Sequence, residues 1–228
     1  MRKLYLYGDL AENFAGLAKP FIESAGGENS RIVLLIAGGN DWKKHIESYL
    51  KPFRINGAKD ISVIVPEEDG LTISDENHKK IKAATGIFVG GGLTASYQKI
   101  YCNPKVAKIL IESYNKGIPY AGLSAGAIIV ASSFWEYEHS ECVLEGLAIL
   151  ENSYIVPHFI ESNGFRVVVQ QIDNTKNKYG IGIDNCNCVE IINEEQCRVI
   201  GPSNCYLFEM RDDKIEFKIY ENGNEFCI

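Results

Sequence analysis

Five short apolar runs, each ended by a loop and followed by residues at helical spacing, fill the first 131 positions of the chain. The runs lie at 3–7 (KLYLY), 31–36 (RIVLLI), 61–65 (ISVIV), 87–89 (IFV) and 119–122 (PYAG). Short apolar runs of this kind mark strands buried on both faces. Between them, residues 11–25 carry Phe14, Leu17, Ala18, Phe21 and Ile22 on one helical face. Residues 42–56 do the same with Trp42, Ile46, Tyr49, Leu50 and Phe53, and Gly57 stops them. Ser74 starts a helix near 75–84. A further helix is expected over 93–115 with an interruption at Pro104, and another from 125 to 131. Alternation of strand and helix dictates a mostly parallel sheet with helices on both faces, a three-layer α/β sandwich.

Beyond residue 132 the pattern changes. Strands are expected at 181–183, 188–192, 196–200, 205–210 and 215–220, with hairpin turns at 193–195 and 211–214. This makes the C-terminal part β-rich. No repeat, linker or low-complexity segment divides the chain, so residues 1–228 read as a single domain.

Charge and cysteine usage narrow the function classes. A net charge of −7 disfavours nucleic acid, which rewards basic surfaces. The seven cysteines are odd in number and irregularly spaced, unlike a disulfide framework, and the C-x-C at Cys186 and Cys188 lacks the second pair of a zinc site. Reduced thiols in a cytoplasmic protein are the expectation. MRKLYLYGDL is too short and polar for a signal peptide, and no run of about 18 apolar residues could span a membrane.

In an open parallel sheet, ligands bind beyond the carboxyl ends of the strands. Three glycine-bearing loops fall there, at 37–40, 90–92 and 122–126. The last is Gly122-Leu123-Ser124-Ala125-Gly126, a G-x-S-x-G between a strand and a helix, which is the setting of a nucleophile elbow. Gly122 and Gly126 remove side chains that so sharp a turn would crowd. The Ala125 N–H, with a second donor from Gly91 or Gly92, could hold an oxyanion.

A serine nucleophile needs a base. Of the four histidines, His45 and His78 fall on helices and His139 in a polar run, all expected to be solvated. His158 follows the apolar run Ile155-Val156-Pro157, which delivers it rigidly to a loop. It lies 34 residues after Ser124, and no histidine follows it. That order and position reject a typical α/β-hydrolase, whose histidine comes late, after the acid.

Together these segments resemble peptidase family S51, which contains dipeptidase E (aspartyl dipeptidase) and cyanophycinase. The nucleophile motif G-x-S-A-G-A is matched by Gly122-Leu123-Ser124-Ala125-Gly126-Ala127. The family's Gly-Gly-Asn loop is similar to Gly90-Gly91-Gly92, its Gly-Leu-x-Leu stretch to Gly146-Leu147-Ala148-Ile149-Leu150, and its His-Phe pair to His158-Phe159. Its Gly-x-Gly-Ile-Asp-Glu segment is similar to Gly180-Ile181-Gly182-Ile183-Asp184-Asn185. Gly92 and Asn185 depart from the pattern.

The resemblance implies a flavodoxin-like fold close to class I glutamine amidotransferases. It also implies a serine peptidase acting on short, dipeptide-like substrates, among them N-terminal aspartyl peptides, with no metal or organic cofactor. The triad acid is expected between the serine and the histidine, among Glu136, Glu138, Glu141 and Glu145. Strand alternation over 134–138 puts Glu136 and Glu138 on one face, and Glu138 is the first choice, Glu136 the second. The family grips the substrate carboxylate with an arginine after the histidine, a position matched by Arg166; Gly92 is expected to contact substrate as well. Expected partners are a small peptide and, in a homodimer, a second copy; nucleic acid and membrane are not expected. The alternatives are a serine amidase or esterase on the same scaffold, and an inactive relative that binds a small molecule.

Overall fold

The computed structural model describes residues 1–10, 12–39, 42–136, 142–212 and 214–228. In chain order the elements are β1 (Lys3–Tyr7), α1 (Phe14–Ser24), β2 (Arg31–Leu35), α2 (Trp42–His45), α3 (Glu47–Ile55), β3 (Asp60–Ile64), α4 (Asp75–Ala83), β4 (Gly86–Val89), α5 (Thr94–Tyr101), α6 (Pro104–Asn115), β5 (Tyr120–Leu123) and α7 (Ala125–Ile128). There follow β6 (Ser133–Glu136), β7 (Cys142–Glu145), β8 (Ser153–Pro157), α8 (Gly164–Thr175), β9 (Tyr179–Ile183), β10 (Cys188–Ile192), β11 (Gln196–Ile200), β12 (Cys205–Arg211), β13 (Lys214–Tyr220) and β14 (Glu225–Cys227).

The central sheet runs β14-β11-β10-β1-β5-β4-β2-β3. β1, β5, β4, β2 and β3 pair in parallel, and β10, β11 and β14 extend the sheet antiparallel beyond β1. Alternate residues feed opposite layers: Leu4 and Leu6 enter one core, Tyr5 and Tyr7 the other. α1 and α3 cover the second core, where Phe14, Phe21 and Phe53 pack round Phe88 at centroid distances of 5.1–6.0 Å. α4, α5, α6 and α7 cover the first core, through residues such as Ile81, Tyr97, Leu110 and Ala127. This is the expected three-layer sandwich.

Pro104 does not kink one helix; it opens α6 at the first-turn position, where its missing N–H costs nothing, and Asn103 caps Lys105 N–H at 3.1 Å. α8 was not expected from the sequence. Its Val167-Val168-Val169 run has a strand's propensity, but Val167, Val168 and Ile172 pack with Tyr154, Phe159 and Phe208 in a third core, and packing overrides propensity.

α8 lies against a second sheet, ordered β13-β12-β9-β8. β8 and β9 are parallel in register Pro157↔Ile183, so the residues that follow each strand emerge side by side. This register builds half of the site.

Candidate active site

Ser124 stands where β5 gives way to α7, with φ 50° and ψ −109°. A non-glycine residue there stores about 1–3 kcal/mol of strain. The flanking glycines make the turn feasible. A Cβ at Gly122 would lie 2.3 Å from the carbonyl oxygen of Gly126, and one at Gly126 would lie 2.3 Å from that of Val89. Both obstacles are backbone and cannot rotate away. Gly126 N–H also donates to Gly90 O at 3.1 Å, binding the elbow to the loop after β4.

The second sheet brings the histidine. His158, also at positive φ (50°), follows β8, and its Nε2 lies 2.9 Å from Ser124 Oγ. The other ring nitrogen, Nδ1, lies 2.8 Å from Asn185 Oδ1. Asn185 Nδ2 donates to Glu161 Oε1 at 2.9 Å. A carboxylate can only accept, so the amide N–H₂ faces Glu161 and Oδ1 faces the histidine. The His158 proton therefore belongs on Nδ1, which leaves Nε2 to accept from the Ser124 hydroxyl. Asp9 Oδ2 stands 4.0 Å from His158 Nδ1. Gly8 N–H donates to Asn187 O at 3.1 Å, which ties the end of β1 to the loop after β9 and sets Asp9 beside the ring.

The loop carrying His158 is held from behind. Phe159 N–H donates to Ile183 O, and Ile160 N–H to Asp184 Oδ1, both at 3.2 Å. Tyr206 hydroxyl donates to Asp184 Oδ2 at 3.2 Å. Burial pushes the Asp184 carboxyl above its ordinary range, against these donors.

Several expectations are corrected here. Among the described residues, Asn185 and not Glu136 stands beside His158 Nδ1, Glu136 being buried at the end of β6; Glu138, the first choice for the triad acid, lies outside the described residues. The reason is topological, because parallel pairing of β8 with β9 lays residue 185 next to residue 158. Gly91 N–H donates to Tyr49 Oη at 3.1 Å and is not free for an oxyanion. Among the described residues, Ala125 N–H and Gly92 N–H have no acceptor. Arg166 is exposed on α8 and does not line the cavity. His78 is buried, not solvated, and His139 lies outside the described residues.

The cavity beside Ser124 and His158 holds about 460 Å³ and is walled by Tyr49, Phe134 and Trp135. Its carboxylates are Asp9 and Glu136, with no lysine or arginine among the described lining residues. Among the described residues, no group of three or more His, Cys, Asp or Glu could hold a metal ion, and no helix is long and apolar enough to cross a membrane.

The family model for peptidase family S51 matches residues 18–199. The chain belongs to peptidase family S51. S51 membership makes it a hydrolase of the serine-peptidase type. A cyanophycinase from Geminocystis herdmanii is 24% identical over 191 residues, covering 79% of this chain and 70% of that relative. A cyanophycinase from Synechococcus elongatus is 22% identical over 84% of this chain, which spans 62% of that relative's length. A peptidase E from Nostoc sp. is 25% identical, covering 68% of this chain and 69% of its own. Among solved structures, a peptidase from an acI-B1 Actinobacterium superposes with a TM-score of 0.81 at 19% identity, covering 100% of this chain and 97% of its own. A putative peptidase E from Listeria monocytogenes gives 0.66 at 17% identity, covering 89% of this chain and 100% of its own. Both share the S51 fold described above.

The sequence does not single out Asn185 as the partner of His158, nor Glu161 as the partner of Asn185, though Asn185 stands out there as a departure from the S51 pattern. The usable signal was two apolar strands, each releasing polar residues, 27 positions apart at His158 and Asn185.

Proposed function

We propose that this protein hydrolyses short peptides through an acyl-enzyme on Ser124. Ser124 Oγ attacks the scissile carbonyl carbon while its proton passes to His158 Nε2. The tetrahedral oxyanion takes the N–H groups of Ala125 and Gly92. The C–N bond then breaks, and the leaving amine takes the proton back from His158. Water repeats the sequence to release the acid and free Ser124. The observation that carries this reading is the 2.9 Å contact between Ser124 Oγ and His158 Nε2 at a strained strand-to-helix turn.

Asn185 is neutral. It holds the ring and its tautomer, as the asparagine of Cys-His-Asn peptidases does, but cannot offset the imidazolium charge. Asp9, at 4.0 Å, supplies that charge. Two unit charges at this distance attract by about 1 kcal/mol in water and about 4 kcal/mol at the screening typical near a protein surface.

The acidic cavity favours a substrate that presents an ammonium or guanidinium group. An aspartyl carboxylate held by Arg166 has no support, because Arg166 stands outside the cavity. A panel of Lys-X, Arg-X and Asp-X dipeptides, β-aspartyl peptides and simple esters tests the reading. Hydrolysis of the cationic peptides, abolished in Ser124→Ala, supports it; undiminished turnover in Ser124→Ala overturns it. Turnover confined to esters would favour an esterase on the same scaffold.

A further inference from the structure

β13 is the free edge of the second sheet: β12 pairs with it on one side, and no described strand pairs with it on the other. An edge strand presents a row of open backbone donors and acceptors. The two faces of β13, whose sequence is KIEFKIY, differ in kind. Ile215, Phe217 and Ile219 continue the apolar face of β12. Phe217 stacks on Phe208 at 5.5 Å and meets Phe165 of α8 at 5.3 Å. Yet Phe217 is 48% exposed, Ile219 52%, Phe165 43% and Val169 45%, which leaves an apolar strip along the edge.

The opposite face carries Lys214, Glu216 and Lys218, and it is mismatched to its own sheet. Lys214 lies opposite Arg211, and Glu216 opposite Glu209. Like charges directly across a ladder are unfavourable. Glu209 is already satisfied by Arg211 at 2.7 Å and Lys178 at 3.4 Å. Glu216 feels the nearby charge of Arg211, but neither Glu216 nor Lys218 makes a close ion pair among the described residues.

We propose that β13 pairs antiparallel with β13 of a second copy of this chain, about a two-fold axis at Phe217. In that register each Glu216 faces the partner's Lys218, so two side chains without a close ion pair on the inner side gain one across the seam, twice over. Ile215 faces the partner's Ile219, and the two Phe217 rings meet on the axis. An axis normal to the sheet keeps both α8 helices on one side, where Phe165 and Val169 close over the joined strip. The surface is separate from the cavity, and the inference does not depend on the catalytic reading.

Sedimentation velocity of the full chain tests it at loadings from roughly 1 to 100 μM, the range in which a contact of this size is read. The wild-type chain is expected to form a dimer. Glu216→Lys and Lys218→Glu each replace two attractions by two repulsions and should raise the dimer Kd by about tenfold or more. The double variant reverses both charges and keeps them complementary, so its Kd should return to within about threefold of wild type. A wild-type chain that stays monomeric throughout overturns the proposal. So do single variants that associate like wild type, or a double variant as weak as the singles.

Discussion

His158 Nδ1 meets Asn185 Oδ1 at 2.8 Å, and the same amide donates to Glu161 at 2.9 Å, so a neutral side chain is held in one orientation by a carboxylate one step further out. Asn185→Asp would put a second carboxylate against Glu161 and is expected to lower kcat. Asn185→Asp with Glu161→Gln restores a donor to the new carboxylate and should recover it to wild type or above. Asn185→Ala should lower kcat by about tenfold or more, short of the roughly 10²–10⁴ lost with the base itself. Steady-state kinetics of these three variants beside the wild-type enzyme checks this, and an Asn185→Asp enzyme that needs no second change would contradict it.

The elbow depends on its glycines for close approach of backbone. Gly126→Ala places a Cβ 2.3 Å from Val89 O and should destabilise the fold by about 3 kcal/mol. For a chain of this size that is a fall in Tm of about 6–12 °C. Thermal unfolding followed by circular dichroism reads it directly.

Substrate charge should be read by the cavity's acids and not by the surface arginine. Glu136→Gln, buried in the lining, is expected to raise KM for a cationic peptide by about tenfold, equal to about 1.4 kcal/mol. Arg166→Ala should leave kcat/KM within about twofold, as expected of an exposed residue outside the cavity. The reverse pattern would restore the arginine-gripped carboxylate.

Acid sensitivity should arise in part at Glu190, a buried carboxylate that accepts from Tyr5 at 2.9 Å, Lys3 at 3.2 Å and Arg198 at 2.6 Å. Burial alone would raise its pKa, but these donors and charges together hold it below the ordinary value of 4.5. The stability it contributes is present above that ordinary value and is lost as pH falls through the lower, folded one. Glu190→Gln should cost about 2 kcal/mol at pH 7 and flatten the decline toward acid. Melting curves from neutral to acid pH compare the two proteins.

The parallel core was legible because each strand is an apolar run closed by a loop and each helix shows a 3.6-residue stripe. Ser124 and His158 were legible for the same reason, each sitting at the end of such a run. What the chain order could not show is which run pairs with which. The β8–β9 register sets Asn185 beside His158, a neighbour that lies beyond the histidine in the chain and is not marked by any spacing from it. α8 was hidden by its valines, whose local preference is overruled by packing against Phe159 and Phe208. The competition between Gly91 and Gly92 was decided by Tyr49, whose hydroxyl engages the first.

The most direct test of the central claim is covalent labelling with a fluorophosphonate, followed by peptide mapping. The account predicts a single adduct on Ser124, absent in Ser124→Ala and formed at least about 100-fold more slowly in His158→Ala. Labelling of another residue, or an undiminished rate in His158→Ala, would contradict it.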